Sequence, residues 1–274
     1  MKSKHLARPL GGLVAAVAAF AMMAAVAQAA TPAPGYENFA GCPSKAENPA
    51  ITSCLSSVIT SGHFKMGNKN VPISNPITLS GGTDPEGENF AYTSKGGLSS
   101  ARQRVPGGVV GLTGLDWLLE YLSVEALELY AVTELAGTPK VPTSEHVILP
   151  IKVHLENPVL GKKCYVGSNS NPINLDLITG TTSPPAPNEP ITGKSPEYVF
   201  DSTLKILHGN NGTLVDNSFA APGANGCALI LFGFIPVSLD GVVNLASGLP
   251  AAAGTNETVQ NYDLETVASK KVYP

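Results

Sequence analysis

Alternating apolar and polar residues recur in short stretches along this chain, between turns rich in glycine, proline and asparagine. The clearest alternation lies at 149–156 and 173–177, where every second side chain is apolar. That period of two is typical of antiparallel strands with one buried face. The pattern predicts a mainly β protein, an antiparallel β-sandwich or barrel-like domain with two short helices. The side chains predicted to form its core are Ile151, Val153, Leu155, Ile173, Leu175, Leu177, Ile206 and the segment 229–237.

Two segments follow helical spacing instead. The first lies near 114–123, where four leucines fall on one face, and we expect it to close one end of the β core. The second begins after Ser238, its predicted N-cap, and ends at Gly248 and Pro250, which stop helices.

Shorter patterns predict further strands. A hairpin is predicted over 63–73, and Pro72 and Pro76 place it at a sheet edge, because proline cannot donate to a central ladder. The wholly apolar segment 229–237 is far shorter than the roughly 20 residues of a membrane-spanning helix, so we predict a buried core strand. The remaining predicted strands are 127–135, 204–207 with a turn at 209–212, and 258–266.

Two loops are predicted to be exposed, a polar one at 81–97 and a proline-dense one at 181–190. Asp84, Glu86 and Glu88 make the first loop the most acidic part of the chain. Their spacing does not match the twelve-residue calcium loop, so we interpret them as a solvated turn rather than a calcium site. Any ligand or partner would be sought first at these two loops.

The N-terminal 29 residues have the features of a secretory signal peptide. Lys2, Lys4 and Arg8 form a positive n-region, residues 10–26 are apolar, and 27–29 is a small-residue cleavage site. We therefore predict cleavage after residue 29 and export to the medium or the cell envelope.

The net charge limits the classes of partner. The predicted signal peptide holds three of the 17 basic residues and none of the 21 acidic ones, so 14 basic and 21 acidic residues remain, a net charge of −7. This acidic balance argues against binding to nucleic acid and against adhesion to anionic lipid.

All four cysteines follow the predicted signal peptide, and an even number in an exported chain favours disulfides over metal ligation. Three connectivities are possible, of which Cys42 with Cys54 and Cys164 with Cys227 is the economical one. We expect about 3 and about 4 kcal/mol of stabilisation from these closures. The predicted organisation is a signal peptide at 1–29, a disulfide-closed loop at 30–54 and one β-rich domain at 55–274.

The cysteine framework and the Gly/Pro turns resemble those of a group of uncharacterised secreted proteins of actinobacteria. The resembling segments are 39–43, 157–161, 164–167, 217–227 and 248–254. The resemblance implies an exported protein of the cell envelope or medium and fits the two proposed disulfides. It brings no assigned activity and no catalytic or binding residue.

Local motifs for catalysis and metal binding are not apparent in the sequence. The four histidines after residue 29 are widely spaced, so no zinc site, cofactor or catalytic residue is predicted. Paired carboxylates of a glycosidase-like site come from distant strands and have no local signature. The acids on predicted strands, which we interpret more simply as facing solvent, are Glu128, Glu134, Glu156 and Asp176.

These observations favour a secreted, non-enzymatic protein of the cell envelope or cell surface, with a structural or a binding role. A cell-wall component or a second copy of the chain is the partner expected, and nucleic acid is not. One alternative is an envelope pore or membrane-associated assembly, because of the apolar segment 229–237 and the predicted helix that carries Trp117. A second alternative is a secreted hydrolase with a dispersed site.

Overall fold

The computed structural model of this protein describes residues 30–108 and 128–274. The predicted signal peptide at 1–29 and the predicted helix near 114–123 lie outside the described residues, so both stay predictions.

Within the described ranges the chain consists mainly of strands, with short helical segments near its two ends and one helix, α1, late in the chain. The helical segments are a 3₁₀ turn (Glu37–Phe39), α1 (Asp240–Ser247) and α2 (Ser269–Val272). The strands are β1 (Ser53–Met66), β2 (Lys69–Ile73), β3 (Ile77–Thr83), β4 (Phe90–Ala91), β5 (Gly97–Ser100), β6 (Gln103–Arg104), β7 (Tyr130–Leu135), β8 (Lys140–Thr143), β9 (His146–Glu156), β10 (Tyr165–Val166), β11 (Ile173–Ile178), β12 (Glu197–Phe200), β13 (Leu207–Asp216), β14 (Ala224–Asn225), β15 (Ala228–Leu231), β16 (Ile235–Ser238) and β17 (Glu257–Ala268).

The pairing is antiparallel, and its main path runs β14-β10-β9-β11-β13-β17-β1-β3-β4. Strands β1, β3, β13 and β17 form one layer, and β7, β9, β10 and β11 form the other. The layers join where β11 and β13 pair through Ile178 and Val215. The described strands do not close into a barrel. The predicted mainly β, sandwich-like fold is confirmed.

The core lies between the two layers. Along β9 buried and half-buried residues alternate without interruption, as the sequence pattern predicts. Ile151 and Ile173 are opposite each other on β9 and β11, and both are fully buried. Burying each such side chain stabilises the fold by about 1.5–3 kcal/mol. Side chains of both layers line one small interior void, among them Leu55, Leu79, Leu264, Val147, Leu149 and Leu177.

The later helix and the first hairpin follow the sequence predictions closely. Gly248 ends α1 with φ +68, in the left-handed region that suits glycine. The residue preceding α1 is Leu239 rather than Ser238, although Ser238 Oγ accepts a hydrogen bond from the N–H of Asp240 at 3.3 Å. Among the described strands β2, which contains Pro72, pairs with β1 alone and is therefore an edge strand.

The strand predicted at 204–207 begins only at the last of these residues, because Lys205 has φ +60, outside the β region. The turn predicted at 209–212 is wrong: these residues form a bulge within β13, where the pairing with β17 shifts register. A Cβ at Gly212 would lie 2.5 Å from the Tyr262 ring, so glycine permits the close approach.

The two loops predicted to be exposed are largely tied to the body. Residues 81–83 continue β3 and are buried, and Asp84 accepts hydrogen bonds from the N–H and the side-chain amide of Asn89. In the proline-dense loop the amide of Asn188 donates to the carbonyls of Asn217 at 2.8 Å and Asn256 at 2.7 Å. These hydrogen bonds satisfy polar groups that water would otherwise solvate, and they attach both loops to the body.

The structure joins Cys42 to Cys54 and Cys164 to Cys227, the pairing that the sequence analysis prefers. The first disulfide lies in a small cluster of buried residues with Phe39 and Ile51, apart from the main core. The second lies at the edge of the β9 layer, next to β15. Two disulfides are compatible with an extracytoplasmic protein.

Candidate functional site

Strands β15 and β16 form a two-stranded sheet that is separate from the main sheet. We call residues 228–238 the apolar hairpin. Its strands pair from Ala228 with Ser238 to Leu231 with Ile235. At its tip the N–H of Phe234 donates to the carbonyl of Leu231 at 3.2 Å. Phe232 has φ +53, an uncommon conformation for a bulky side chain, so the turn is a place where local strain is tolerated.

The apolar hairpin is exposed, and the buried core strand predicted at 229–237 is wrong. Phe232 and Phe234 at the tip are 85% and 75% exposed. Successive side chains of a strand point to opposite faces, and Ile230 and Leu231 are both exposed, at 49% and 39%. Apolar side chains therefore meet solvent on both faces and at the tip.

Cys227 holds the base of the hairpin. Its N–H donates to Oδ1 of Asp240 at 2.7 Å, and its carbonyl accepts the N–H of Leu239 at 2.8 Å. Its side chain forms the disulfide with Cys164, and Leu229 packs against the main core. Both arms of the hairpin thus start from one covalently anchored residue, so the tip projects from a fixed base.

The loop 157–163 lies against this base. The carbonyl of Leu160 accepts the N–H of Ala228 at 2.9 Å, and Leu160 is fully buried. A Cβ at Gly226 would stand 2.2 Å from the carbonyl oxygen of Lys163, so the two backbones touch here. Lys162 and Lys163 are exposed, and the sequence from 228 to 239 contains no charged residue. An uncharged apolar tip is therefore flanked at its base by two cations.

A second surface, on the outward face of β7, β9 and β10, carries two of the four acids that the sequence analysis places on strands. Glu134 Oε2 lies 3.5 Å from Lys152 Nζ, and Glu156 Oε2 lies 2.5 Å from Arg102 Nε. The His154 ring stacks on that of Tyr165, with centroids 4.5 Å apart, between the two glutamates. A surface hollow of about 890 Å³ opens over part of this network, with Lys162 on its rim.

The remaining named acids are also paired. Glu128 lies 3.4 Å from Arg104 and accepts a hydrogen bond from the Tyr130 hydroxyl, which raises the pKa of that tyrosine. Asp176 lies 2.6 Å from the ring of His146. These carboxylates do more than face solvent, because each one pairs with a cation, a phenol or an imidazole. Glu156 Oε2 and His154 Nε2 nevertheless make no hydrogen bond to another described residue.

The site residues named from sequence, the four cysteines, are structural, and the structure adds a role for one pair at the base of the hairpin. Sequence reasoning missed the hairpin because a continuous apolar run is typical of a buried strand. The available signal was Gly233 between two phenylalanines, in the middle of the run, where a glycine favours a turn.

Among residues 30–108 and 128–274, no helix is long and apolar enough to cross a membrane. The same residues hold no group of three or more His, Cys, Asp or Glu side chains that could bind a metal ion. Comparisons with protein-family models, with curated proteins and with solved structures find no match for this chain.

Proposed function

We propose that this chain is an exported, non-enzymatic protein of the cell envelope that attaches to a lipid membrane by inserting the apolar hairpin. The observation that carries the proposal is the exposure of apolar side chains on both faces of the hairpin and at its tip. Monomeric soluble proteins rarely expose a contiguous apolar surface of this kind unless it contacts a protein or a membrane.

The shape of the hairpin favours lipid over a protein groove as its environment. A groove on a partner covers one face of a docked element, as when a helix or strand places its apolar side into a cleft. Here the side chains of Ile230 and Leu231 point to opposite faces, and Phe232 caps the tip. Acyl chains can surround all three surfaces at once.

The backbone limits how deeply the hairpin inserts. Each of its strands pairs on one side only, so its outer edges carry N–H and C=O groups that hydrocarbon cannot satisfy. Strands of four residues reach roughly 13 Å, whereas a spanning strand needs about 9–11 residues. The geometry suits insertion of the tip about 5–10 Å into the boundary between headgroups and acyl chains.

The expected affinity is that of reversible attachment. Transferring each tip phenylalanine from water to an apolar environment contributes about 1.5–3 kcal/mol, and two of them contribute about 3–6 kcal/mol. The neighbouring aliphatic side chains add to this where they enter the boundary region. Such energies correspond to dissociation constants in the millimolar to micromolar range.

The alternative functions receive less support from the described residues. A hydrolase needs an acid or base that can exchange protons with a substrate. Glu128, Glu134 and Asp176 are each engaged in a pair, and Glu156 lies beside Arg102, although its Oε2 makes no hydrogen bond. The short hairpin does not suit a pore formed by its own strands. A role in binding a cell-wall component stays a prediction alongside membrane attachment.

Flotation of residues 30–274 with phosphatidylcholine vesicles tests the proposal. We expect the chain to float with the vesicles and the variant Phe232→Asn with Phe234→Asn to stay in the soluble fraction. The matched control is Val199→Ser with Phe200→Ser on β12, two side chains that are 58% and 57% exposed elsewhere on the surface. A chain that does not float, or equal loss in both variants, contradicts the proposal. Release of an entrapped dye would instead support the pore alternative.

A further inference from the structure

We propose that Lys162 and Lys163 bind the phosphate groups of anionic phospholipids beside the inserted hairpin, so that attachment selects anionic membranes. This inference rests on the proposed function, because it assigns the lipid class that the same site recognises. It adds a charged contact to an attachment that the hairpin alone makes with any bilayer.

The two lysines are held next to the point of insertion. Val159 and Leu160 anchor their loop in the core, at 4% and 0% exposure, and Val159 N–H donates to Oδ1 of Asn157 at 2.7 Å. The backbone of the loop contacts the hairpin at Ala228, and the Cys164–Cys227 disulfide follows directly. When the tip enters the boundary region, the base of the hairpin lies at the level of the lipid phosphates.

The charge of both lysines is available for a ligand. Within the described part of the chain, neither ammonium group lies within ion-pair distance of a carboxylate. The acids that line the surface hollow together with Lys162 have other partners: Glu128 lies beside Arg104, and Glu156 lies beside Arg102. An ammonium on a flexible stem is well suited to a phosphate, which it binds as a point charge.

The net charge of −7 after the predicted signal peptide argues against adhesion of the whole surface to anionic lipid. At the base of the hairpin, however, the two lysines place positive charge where the membrane would lie. Charges farther apart than about 8–10 Å are largely screened at physiological salt. Lys162 and Lys163 at the base of the inserted hairpin act within that distance of the lipid phosphates, whereas acids on the far side of the body do not. The hairpin end is therefore the part of the surface that approaches an anionic membrane favourably.

The test compares flotation with vesicles of phosphatidylcholine alone and with vesicles in which one third of the lipid is phosphatidylglycerol. Each lysine near an anionic surface contributes about a five-fold gain in affinity, so we expect roughly a 25-fold preference for the anionic vesicles at physiological salt. The variant Lys162→Gln with Lys163→Gln should lose this preference and keep the affinity for neutral vesicles. Raising the salt concentration should also remove the preference.

The matched control is Lys270→Gln with Lys271→Gln, an adjacent exposed lysine pair on α2. This control pair lies away from the apolar hairpin. The N–H of Ser269 on α2 donates to the carbonyl of Thr52, at the start of the 14-residue strand β1. The helix α1, which follows the hairpin, lies near the other end of that strand, where the N–H of Asn68 donates to the carbonyl of Ser247. This control should keep the full preference. Equal binding to both vesicle types, or equal loss in both lysine variants, overturns the inference and leaves the proposed function standing. Failure to bind either vesicle type overturns both.

Discussion

The N–H of Cys227 donates to Oδ1 of Asp240 at 2.7 Å, which joins the residue before the apolar hairpin to the first residue of α1. Cys227 is 1% exposed, so water cannot replace this acceptor. Asp240 also lies in the first turn of α1, where a negative charge interacts favourably with the helix dipole. One side chain thus closes the hairpin and begins the helix.

We expect Asp240→Ala to lower the free energy of unfolding by about 1–3 kcal/mol, because it leaves a buried N–H without an acceptor. Asp240→Asn keeps an oxygen at the same position and should cost less than half as much. Urea unfolding of the two variants measures the difference. Equal losses would mean that the carboxylate charge, and not the acceptor, stabilises this corner.

The two disulfides should differ in what their removal does to the hairpin. In the chain-entropy model, closing 63 residues between Cys164 and Cys227 stabilises by about 4 kcal/mol, and closing 12 residues between Cys42 and Cys54 by about 3 kcal/mol. Replacing either pair by alanine should therefore lower the thermal midpoint. Only loss of Cys164–Cys227 should release the base of the hairpin.

Limited proteolysis of the two alanine variants, at a temperature where both are folded, distinguishes these effects. We expect cleavage within 228–238 to become faster in the Cys164–Cys227 variant and to stay at the original rate in the Cys42–Cys54 variant. Unchanged cleavage in both would show that the hydrogen bonds at Cys227 hold the hairpin without the disulfide.

The architecture could be predicted from the sequence because alternation records burial directly. The side chains of Ile151, Val153 and Leu155 are buried between half-buried neighbours on β9, and this pattern appears in the sequence as a period of two. The segment 229–237 was predicted wrongly for a physical reason. Hydrophobicity measures the preference of a side chain for an apolar environment, and that environment can be a protein core or a lipid bilayer.

Long-range hydrogen bonds account for most of the other differences between the sequence predictions and the structure. No local pattern shows that the carboxylate of Glu145 accepts hydrogen bonds from Thr179 and Ser195, which come from distant parts of the chain. The paired acids of β7 and β9 depend likewise on which strands are neighbours in the sheet. Strand order is set by the whole fold, so single-sequence patterns predict strands better than they predict the sites between them.

Glu145 makes the stability depend on pH. Hydrogen bonds from the hydroxyls of Ser195 and Thr179, and then of Tyr198, hold the pKa of Glu145 below its usual value of 4.5. The unfolded chain therefore binds this proton more readily than the folded chain does. The contribution of Glu145 is fully present above pH 4.5 and is lost as the pH falls through the lower folded-state pKa.

We expect Glu145→Gln to be less stable than the original chain at pH 7 and to approach it as the pH falls below 4.5. Thr179→Val, which removes one donor, should show a smaller dependence of the same sign. Denaturant unfolding between pH 3 and pH 7 measures both. A constant difference between the chain and Glu145→Gln across this range would refute the role given to the charge.

Insertion by the tip predicts that substitutions weaken vesicle binding more at the tip of the apolar hairpin than at its base. Phe232→Asn removes the tip side chain, and asparagine accepts the positive φ of +53 at this position, so the turn is expected to keep its shape. Losing the transfer of one phenylalanine should weaken binding to neutral vesicles by about ten- to hundred-fold. Val237→Asn changes a half-exposed side chain near the base and should weaken binding by less than about three-fold, because that residue lies outside the boundary region.

Flotation with phosphatidylcholine vesicles measures both variants, and circular dichroism checks that each one is folded. A steep gradient from tip to base is expected only if the hairpin enters the bilayer end-on. If Val237→Asn weakens binding as much as Phe232→Asn, the hairpin lies flat on the bilayer and contacts it through the length of one face. That result would contradict end-on insertion, since only a hairpin that lies flat contacts the lipid equally with its base and its tip.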